Sequence, residues 1–106
     1  MVKIISIIPA RSGSKRIKDK NIKKYKGTPL LSHSIKHSLK SKYIQRTIVS
    51  TDSKKYAKIA IKYGAEVPFL RPKKISKDRS TDLECFIHCL NFLKDKENYI
   101  PDIIVH

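Results

Sequence analysis

The sequence predicts an α/β fold, a parallel sheet flanked by helices, and three observations carry that prediction. Short aliphatic runs alternate with segments of helical period along the whole chain. The first run, with isoleucine at positions 4, 5, 7 and 8, is too continuous for a strand with one wet face, so it reads as a strand buried on both. Residues 10–28 are rich in Ser, Gly, Lys and Asn and lack an apolar period. That places a long loop beyond the carboxyl end of the first strand, where open α/β sheets bind their ligands.

The first strand spans Lys3 to Pro9, and Pro9 ends it. After the loop, Thr28 is placed to cap a helix and Pro29 to occupy its first turn, while Leu30, Leu31, Ile35 and Leu39 recur on one face as far as about Ser41. Ile44 to Thr51 forms a second strand centred on Ile48 and Val49, and Ser50, Thr51, Asp52 and Ser53 supply polar caps for the next helix. Tyr56, Ala57, Ala60 and Ile61 form the buried stripe of that helix, which Gly64 closes in a left-handed conformation. A brief third strand covers Ala65 to Phe69, and an irregular polar stretch runs from Arg71 to Ser80. Thr81 and Glu84 make a capping box ahead of Leu83, Phe86, Ile87, Leu90 and Leu93, an amphipathic spacing. Ile100-Pro101-Asp102 breaks the helix, and Ile103 to Val105 opens a fourth strand. With no helix after that strand to cover its face, residues 1–106 read as the N-terminal part of a single, incomplete domain.

The 106 residues allow one domain at most. Lys and Arg total 24 against 9 Asp and Glu, a net charge of +15, so an anionic partner is expected. Nucleic acid, an acidic membrane and a polyphosphate share that sign. A nucleic-acid-binding module is disfavoured because Tyr25, Tyr43, Tyr56, Tyr63 and Tyr99 do not cluster with the basic residues as a stacking platform requires. No run approaches the roughly 20 apolar residues of a membrane helix, and the N-terminus lacks the pattern of a cleaved signal. No membrane partner is expected, and the cytoplasm is the default location. Cys85 and Cys89 lie one helical turn apart, and His88 is the one further soft ligand nearby, so both read as buried thiols rather than a disulfide or metal pair.

The chemistry is expected in the loop. Gly13, between Ser12 and Ser14, lets backbone N–H groups approach an anion closely, and Arg11, Lys15 and Arg16 add positive charge, which together suit a polyphosphate. The loop lacks the Walker A order G-x-x-x-x-G-K-S/T and the G-x-G-x-x-G of dinucleotide folds.

Residues 7–22, I-I-P-A-R-S-G-S-K-R-I-K-D-K-N-I, resemble the opening motif of the acylneuraminate cytidylyltransferases, the CMP-sialic acid synthetases. The resemblance continues in order through G-T-P-L-L (27–31), I-V-S-T-D (48–52), Y-G-A-E-V (63–67), F-L-R-P (69–72), S-K-D-R-S-T-D (76–82) and P-D-I-I-V-H (101–106), covering essentially the whole chain. It implies a Rossmann-like nucleotide-diphospho-sugar transferase fold and a transferase that joins CTP to a nonulosonic acid, giving the CMP-sugar and pyrophosphate. Arg11 and Lys15 match basic residues that hold the triphosphate and serve catalysis. Ala10, Ser12, Gly13 and Ser14 belong to the same CTP-binding loop, and Asn21 matches an asparagine of the nucleotide pocket. Arg71, Ser80 and Asp82 match the segment around the cytosine. The resemblance further implies Mg2+, with its acidic ligands expected beyond residue 106 and none within the chain, and a homodimer for the full-length protein.

Two positions depart from the pattern. Arg16 stands where many members have glycine, although a basic residue there resembles the pseudaminic and legionaminic acid branch, and Lys18 replaces a common proline. The nearest alternative is a KDO cytidylyltransferase, which shares the I-P-A-R opening but ordinarily not the K-N-I at 20–22. Asp52, at a strand end before a helix, reads as a cap rather than a metal ligand.

Overall fold

The computed structural model describes residues 2–11, 24–25, 28–76 and 81–106, and for Lys24, Tyr25 and Thr28 the backbone only. The elements run β1 (Ile4–Pro9), β2 (Lys24–Tyr25), β3 (Thr28–Pro29), α1 (Leu30–Leu39), β4 (Arg46–Ser50), α2 (Lys54–Lys62), a 3-10 turn at Lys73–Ile75, α3 (Asp82–Glu97) and β5 (Ile103–Val105). β1 lies at the centre of a parallel sheet ordered β4-β1-β5. The expected third strand is reduced to a single parallel bridge between Glu66 and Ile48, closed by Val49 N–H to the Glu66 carbonyl at 2.9 Å and Glu66 N–H to the Thr47 carbonyl at 2.8 Å.

The helices sort by face. Ala10, Leu31, Ile35, Val49, Tyr56, Ala60 and Ala65 form one buried cluster, which places α1 and α2 on the same side of the sheet. Ile5, Ile7, Ile48, Cys85, Cys89 and Leu93 form the other, beneath α3. This is the right-handed rule at work: the chain moves outward from β1 to β4 with its helices on one face, then returns to β5 with its helix on the other. β1 is fully buried only toward α3. Ile5 and Ile7 are inaccessible there, whereas Ile4 and Ile8 on the α1 side are half-buried.

Local signals account for most boundaries. Ser53 caps α2 by accepting the Tyr56 N–H at 3.2 Å. Gly64, at φ +103°, ends that helix with its own N–H on the Ile61 carbonyl and the Ala65 N–H on the Ala60 carbonyl, both at 3.0 Å. Thr81 Oγ1 accepts the Glu84 N–H at 3.1 Å. α3 stops at Asn98, left-handed at φ 51°, before the expected breaker at residues 100–102. Asp102 then fastens β5 to the start of β1, accepting the Lys3 N–H at 2.8 Å while its own N–H donates to the Lys3 carbonyl at 2.8 Å.

Four expectations fail in detail. Thr28 does not cap α1: it pairs with Tyr25 in the antiparallel β2–β3 ribbon, and Pro29 takes the cap position in extended conformation with no side-chain cap. Ser32 Oγ donates to the Pro29 carbonyl at 2.6 Å, which holds the start of the helix but leaves its first N–H groups without a side-chain cap. On α1, Leu30 and Leu39 are exposed, and Ser32 and Ser38 are buried instead, Ser38 Oγ sharing a 2.7 Å hydrogen bond with Thr47 Oγ1. On α2, Ile61 is exposed because Tyr56 and Ala60 define the inward line and Ile61 lies about 100° round from Ala60. On α3, the buried line is Cys85, Cys89 and Leu93, with Leu83 and Ile87 outward. Positions 83 and 87 sit two residues from Cys85, nearly opposite it on the helical wheel, so the two apolar patterns compete and only one can face a sheet.

At the amino edge, Arg46 ties the layers together. Its Nη2 and Nε reach Glu66 at 2.7 and 3.0 Å, its Nη1 reaches Glu97 Oε1 at 3.0 Å, and its guanidinium lies 4.7 Å from the Tyr99 ring centroid. The hydrogen bonds to Glu66 and Glu97 raise the arginine pKa despite partial desolvation, so this cation stays charged. Among the described residues, no helix is long and apolar enough to cross a membrane.

Candidate functional site at the carboxyl edge of the sheet

The order third bridge, β4, β1, β5 creates a point where connections diverge: the chain leaves β1 toward β4 and later returns to β5 on the other side. In open α/β sheets ligands bind at such a point, beyond the carboxyl ends of the strands, here β1 and β5. Ala10 and Arg11 follow β1 at that point. Ala10 is fully buried, and its N–H donates to the Ser50 carbonyl at 2.9 Å, which extends the ladder one residue past β1 and sets where the loop departs. Arg11 is half-buried.

Arg71 is the best-defined of the candidate residues. It is 6% exposed, so a surface cation is ruled out. Its backbone N–H donates to the Thr51 carbonyl at 2.7 Å, its Nε to Ser50 Oγ at 3.1 Å and its Nη2 to the Ser50 carbonyl at 2.8 Å. The side chain is thus held against the end of β4 by two neutral acceptors of one residue. Thr51 Oγ1 in turn accepts the Ser53 N–H at 3.2 Å, linking this anchor to the cap of α2.

Asp82 opens α3 on the other flank, where its Oδ2 lies 3.4 Å from His106 Nε2 at the end of β5. His106 also sets its ring edge-on to Phe86, centroids 5.0 Å apart. Arg71 and Asp82 therefore attach to β4 and β5 on opposite sides of the β1 terminus, two strand spacings, or about 10 Å, of sheet between them. Ser12, Gly13, Ser14, Lys15, Asn21 and Ser80 lie outside the described residues.

His88 was not singled out for the site, yet its pKa is lowered, first by burial and then by the positive charges of Arg71 and Lys74. Its Nδ1 is buried without a hydrogen-bond partner among the described residues, and its ring meets Phe69 edge-on at 4.7 Å. Ser50 was read as part of a helix cap; its acceptor role depends on Arg71, 21 residues away, and no local signal announces it. Among the described residues no group of three or more His, Cys, Asp or Glu is placed to hold a metal ion. Cys85 and Cys89 are fully buried free thiols, and burial pushes the Cys89 pKa up to about 12, so it stays a protonated apolar side chain.

Known proteins resemble this chain in sequence and in fold. It is 45% identical over 87 residues to the CMP-N,N'-diacetyllegionaminic acid synthase of Legionella pneumophila, covering 82% of this chain and 36% of that protein. It is 41% identical over 97 residues to the N-acylneuraminate cytidylyltransferase of Escherichia coli (92% and 23%). It is 39% identical over 101 residues to the pseudaminic acid cytidylyltransferase of Campylobacter jejuni (95% and 43%). The chain thus spans less than half the length of each of these relatives. A solved CMP:2-keto-3-deoxy-manno-octonic acid synthetase complexed with CTP superposes with a TM-score of 0.72 at 20% identity, covering 84% of this chain and 35% of that one, which establishes the nucleotidyltransferase fold. The cytidylyltransferase family model matches residues 5–103, nearly the whole parallel-sheet unit described above, and the chain belongs to the cytidylyltransferase family.

Proposed function

We propose that these residues form the CTP-binding part of a cytoplasmic nucleotidyltransferase that activates a nonulosonic acid as its CMP-sugar. The observation that carries this reading is the 39–45% identity to synthases and cytidylyltransferases of legionaminic, neuraminic and pseudaminic acids, spread over 82–95% of the chain. In the reaction, a sugar hydroxyl oxygen attacks the α-phosphorus of CTP, the bond to the bridging oxygen breaks, pyrophosphate leaves and the hydroxyl proton passes to a base or water. In-line positioning and neutralisation of charge on the departing pyrophosphate do most of the work in such transfers. Arg11 and Lys15 are suited to the triphosphate. Asn21, Arg71, Ser80 and Asp82 are suited to the nucleoside, Arg71 because its two bonds to Ser50 fix the guanidinium before a ligand arrives. Mg2+ is expected to assist, although no cluster among the described residues fits it. The full-length protein is expected to act as a homodimer.

The test is a calorimetric titration of the chain with CTP, GTP and ATP, with and without Mg2+, repeated on Arg11→Ala. CTP is expected to bind at least tenfold more tightly than either purine nucleotide, and Arg11→Ala to weaken it by tenfold or more. Equal affinity for all three nucleotides, or an indifferent Arg11→Ala, refutes the reading.

A further inference from the structure

Residues 69–75 form a strap between α3 and the end of β4. On the α3 side Phe69 meets the His88 ring edge-on at 4.7 Å and the Phe92 ring at 5.1 Å. Two residues later, on the β4 side, Arg71 is tied to the Thr51 and Ser50 carbonyls and to Ser50 Oγ. His88 thus faces the same short segment that carries the buried guanidinium, and its surroundings suit only one charge state.

A neutral imidazole can keep its proton on Nε2 and leave Nδ1 as a lone pair, whereas an imidazolium donates from both nitrogens. Nδ1 is buried with no hydrogen-bond partner among the described residues, so a proton there would be a buried donor without an acceptor. The charges that act on the ring from the strap, Arg71 and Lys74, are both positive and oppose the imidazolium. The cluster between α3 and the sheet holds no carboxylate, its titratable members being the thiols of Cys85 and Cys89. On α3 itself Glu84 and Asp95, one turn before His88 and two turns after it, are exposed. The opposition is reciprocal: a charge on His88 disfavours the two cations as much as they disfavour it. Lys74 is exposed and can turn its ammonium into water. Arg71 is 6% exposed and cannot shed its proton. The remaining relief is movement of the strap, which would also open the Phe69 contact and let water reach Nδ1.

We propose that His88 is a positioning residue for Arg71: the neutral imidazole seats the 69–75 strap, and its protonation lifts the strap and frees the guanidinium from Ser50. The change is local, and the sheet beneath stays folded. Only its consequence for ligand affinity rests on the nucleotide reading.

The experiment is amide hydrogen exchange followed by NMR at pH 7.5 and pH 5. The Arg71 N–H, bonded to the Thr51 carbonyl at 2.7 Å, reports the strap, and the ladder amides of β1 report global opening. Because a released imidazole titrates near the ordinary value of about 6.5 and the seated one lower, release is favoured by up to about thirtyfold at the acid end. After correction for the intrinsic pH dependence of exchange, protection at Arg71 is expected to fall at least fivefold more than protection in β1. In His88→Phe, and in His88→Gln should the aromatic variant misfold, that excess should drop below twofold. An equal fall at Arg71 and in β1 overturns the proposal, since His88 would then act on global stability alone. So does an excess that survives the substitution. Calorimetric CTP affinity should fall at least threefold more over the same pH range in the parent than in His88→Phe. Release of Arg71 at acid pH in a chain that binds no CTP supports the positioning role and overturns the nucleotide reading instead.

Discussion

Replacing Arg71 by methionine isolates the anchor at the end of β4. The swap keeps most of the side-chain volume and removes the hydrogen bonds from Nε and Nη2 to Ser50. Hydrogen bonds from a charged donor contribute about 1.5–3 kcal/mol each, but the substitution also relieves the desolvation of a guanidinium that is 94% buried. The Ser50 carbonyl keeps its bond from the Ala10 N–H, so Ser50 Oγ alone loses a partner. The balance is a loss of about 2 kcal/mol, a substantial fraction of the roughly 5–15 kcal/mol that holds a domain of this size together. In urea denaturation this appears as a lower midpoint with an unchanged slope, and in a thermal melt as a fall of roughly 10 °C. Ser50→Ala removes one of the two bonds and should cost about 1 kcal/mol. Because both variants cut the same contact, the double variant should be about 1 kcal/mol more stable than additivity predicts. An Arg71→Met variant within about 0.5 kcal/mol of the parent, or a strictly additive double variant, refutes the anchor as drawn.

Arg46→Met should cost about 2 kcal/mol by chemical denaturation. It removes the paired bonds to Glu66, the contact with Glu97 and the stacking on Tyr99, and the estimate is discounted because Glu66 and Glu97 are 45% and 34% exposed. Adding Glu66→Gln to that variant should cost little more, and an equal further loss would show that the pair is not coupled. His88 gives a pH dependence of definite sign. Its folded pKa is lowered below the ordinary 6.5, so the unfolded chain binds the proton more readily, and stability falls as pH drops below about 6.5. His88→Phe should flatten the melting temperature between pH 6.5 and 5, and a steep parental slope that survives the substitution would assign it elsewhere.

What the sequence shows well is whatever depends on neighbours in the chain. The isoleucine run of β1, the Ser53 and Thr81 caps and the Gly64 terminus all rest on residues within five positions of one another. Each element forms where the sequence places it, although β1 is less buried toward α1 than expected and Thr81 makes only its own half of the capping box. What it hides depends on distant partners. A β2–β3 ribbon of two residues per strand is too short to leave a period, so Thr28 looks like a cap until its pairing with Tyr25 is seen. Residues 65–69 carry strand-like side chains, but Arg71 is pulled onto Thr51 five residues after Glu66, and the chain turns away after one bridge. α3 offers two apolar faces, and the cysteine face wins because small side chains at 85 and 89 let the helix sit close over Ile5, Ile7 and Ile48.

The site divides along the same line. Its place after the first strand of a parallel sheet is visible in the alternation of the sequence, whereas the strand order β4-β1-β5 appears only in the structure. Its electrostatics do not. Arg71 is buried among neutral acceptors, so its charge is not cancelled by those partners, and it reaches far enough to disfavour protonation of His88 on the facing helix. A buried cation held by neutral groups is costly for folding alone, and an apolar side chain of the same size could fill the space. Under the proposed reading the arrangement suits a nucleotide arriving at the crevice, where the guanidinium is already fixed in place to donate to the nucleoside and needs no reorganisation. On that view the stability lost in Arg71→Met and the affinity lost for CTP arise from one pair of hydrogen bonds. Ser50→Ala, which loosens the guanidinium without removing its charge, should therefore weaken CTP binding less than Arg71→Met does.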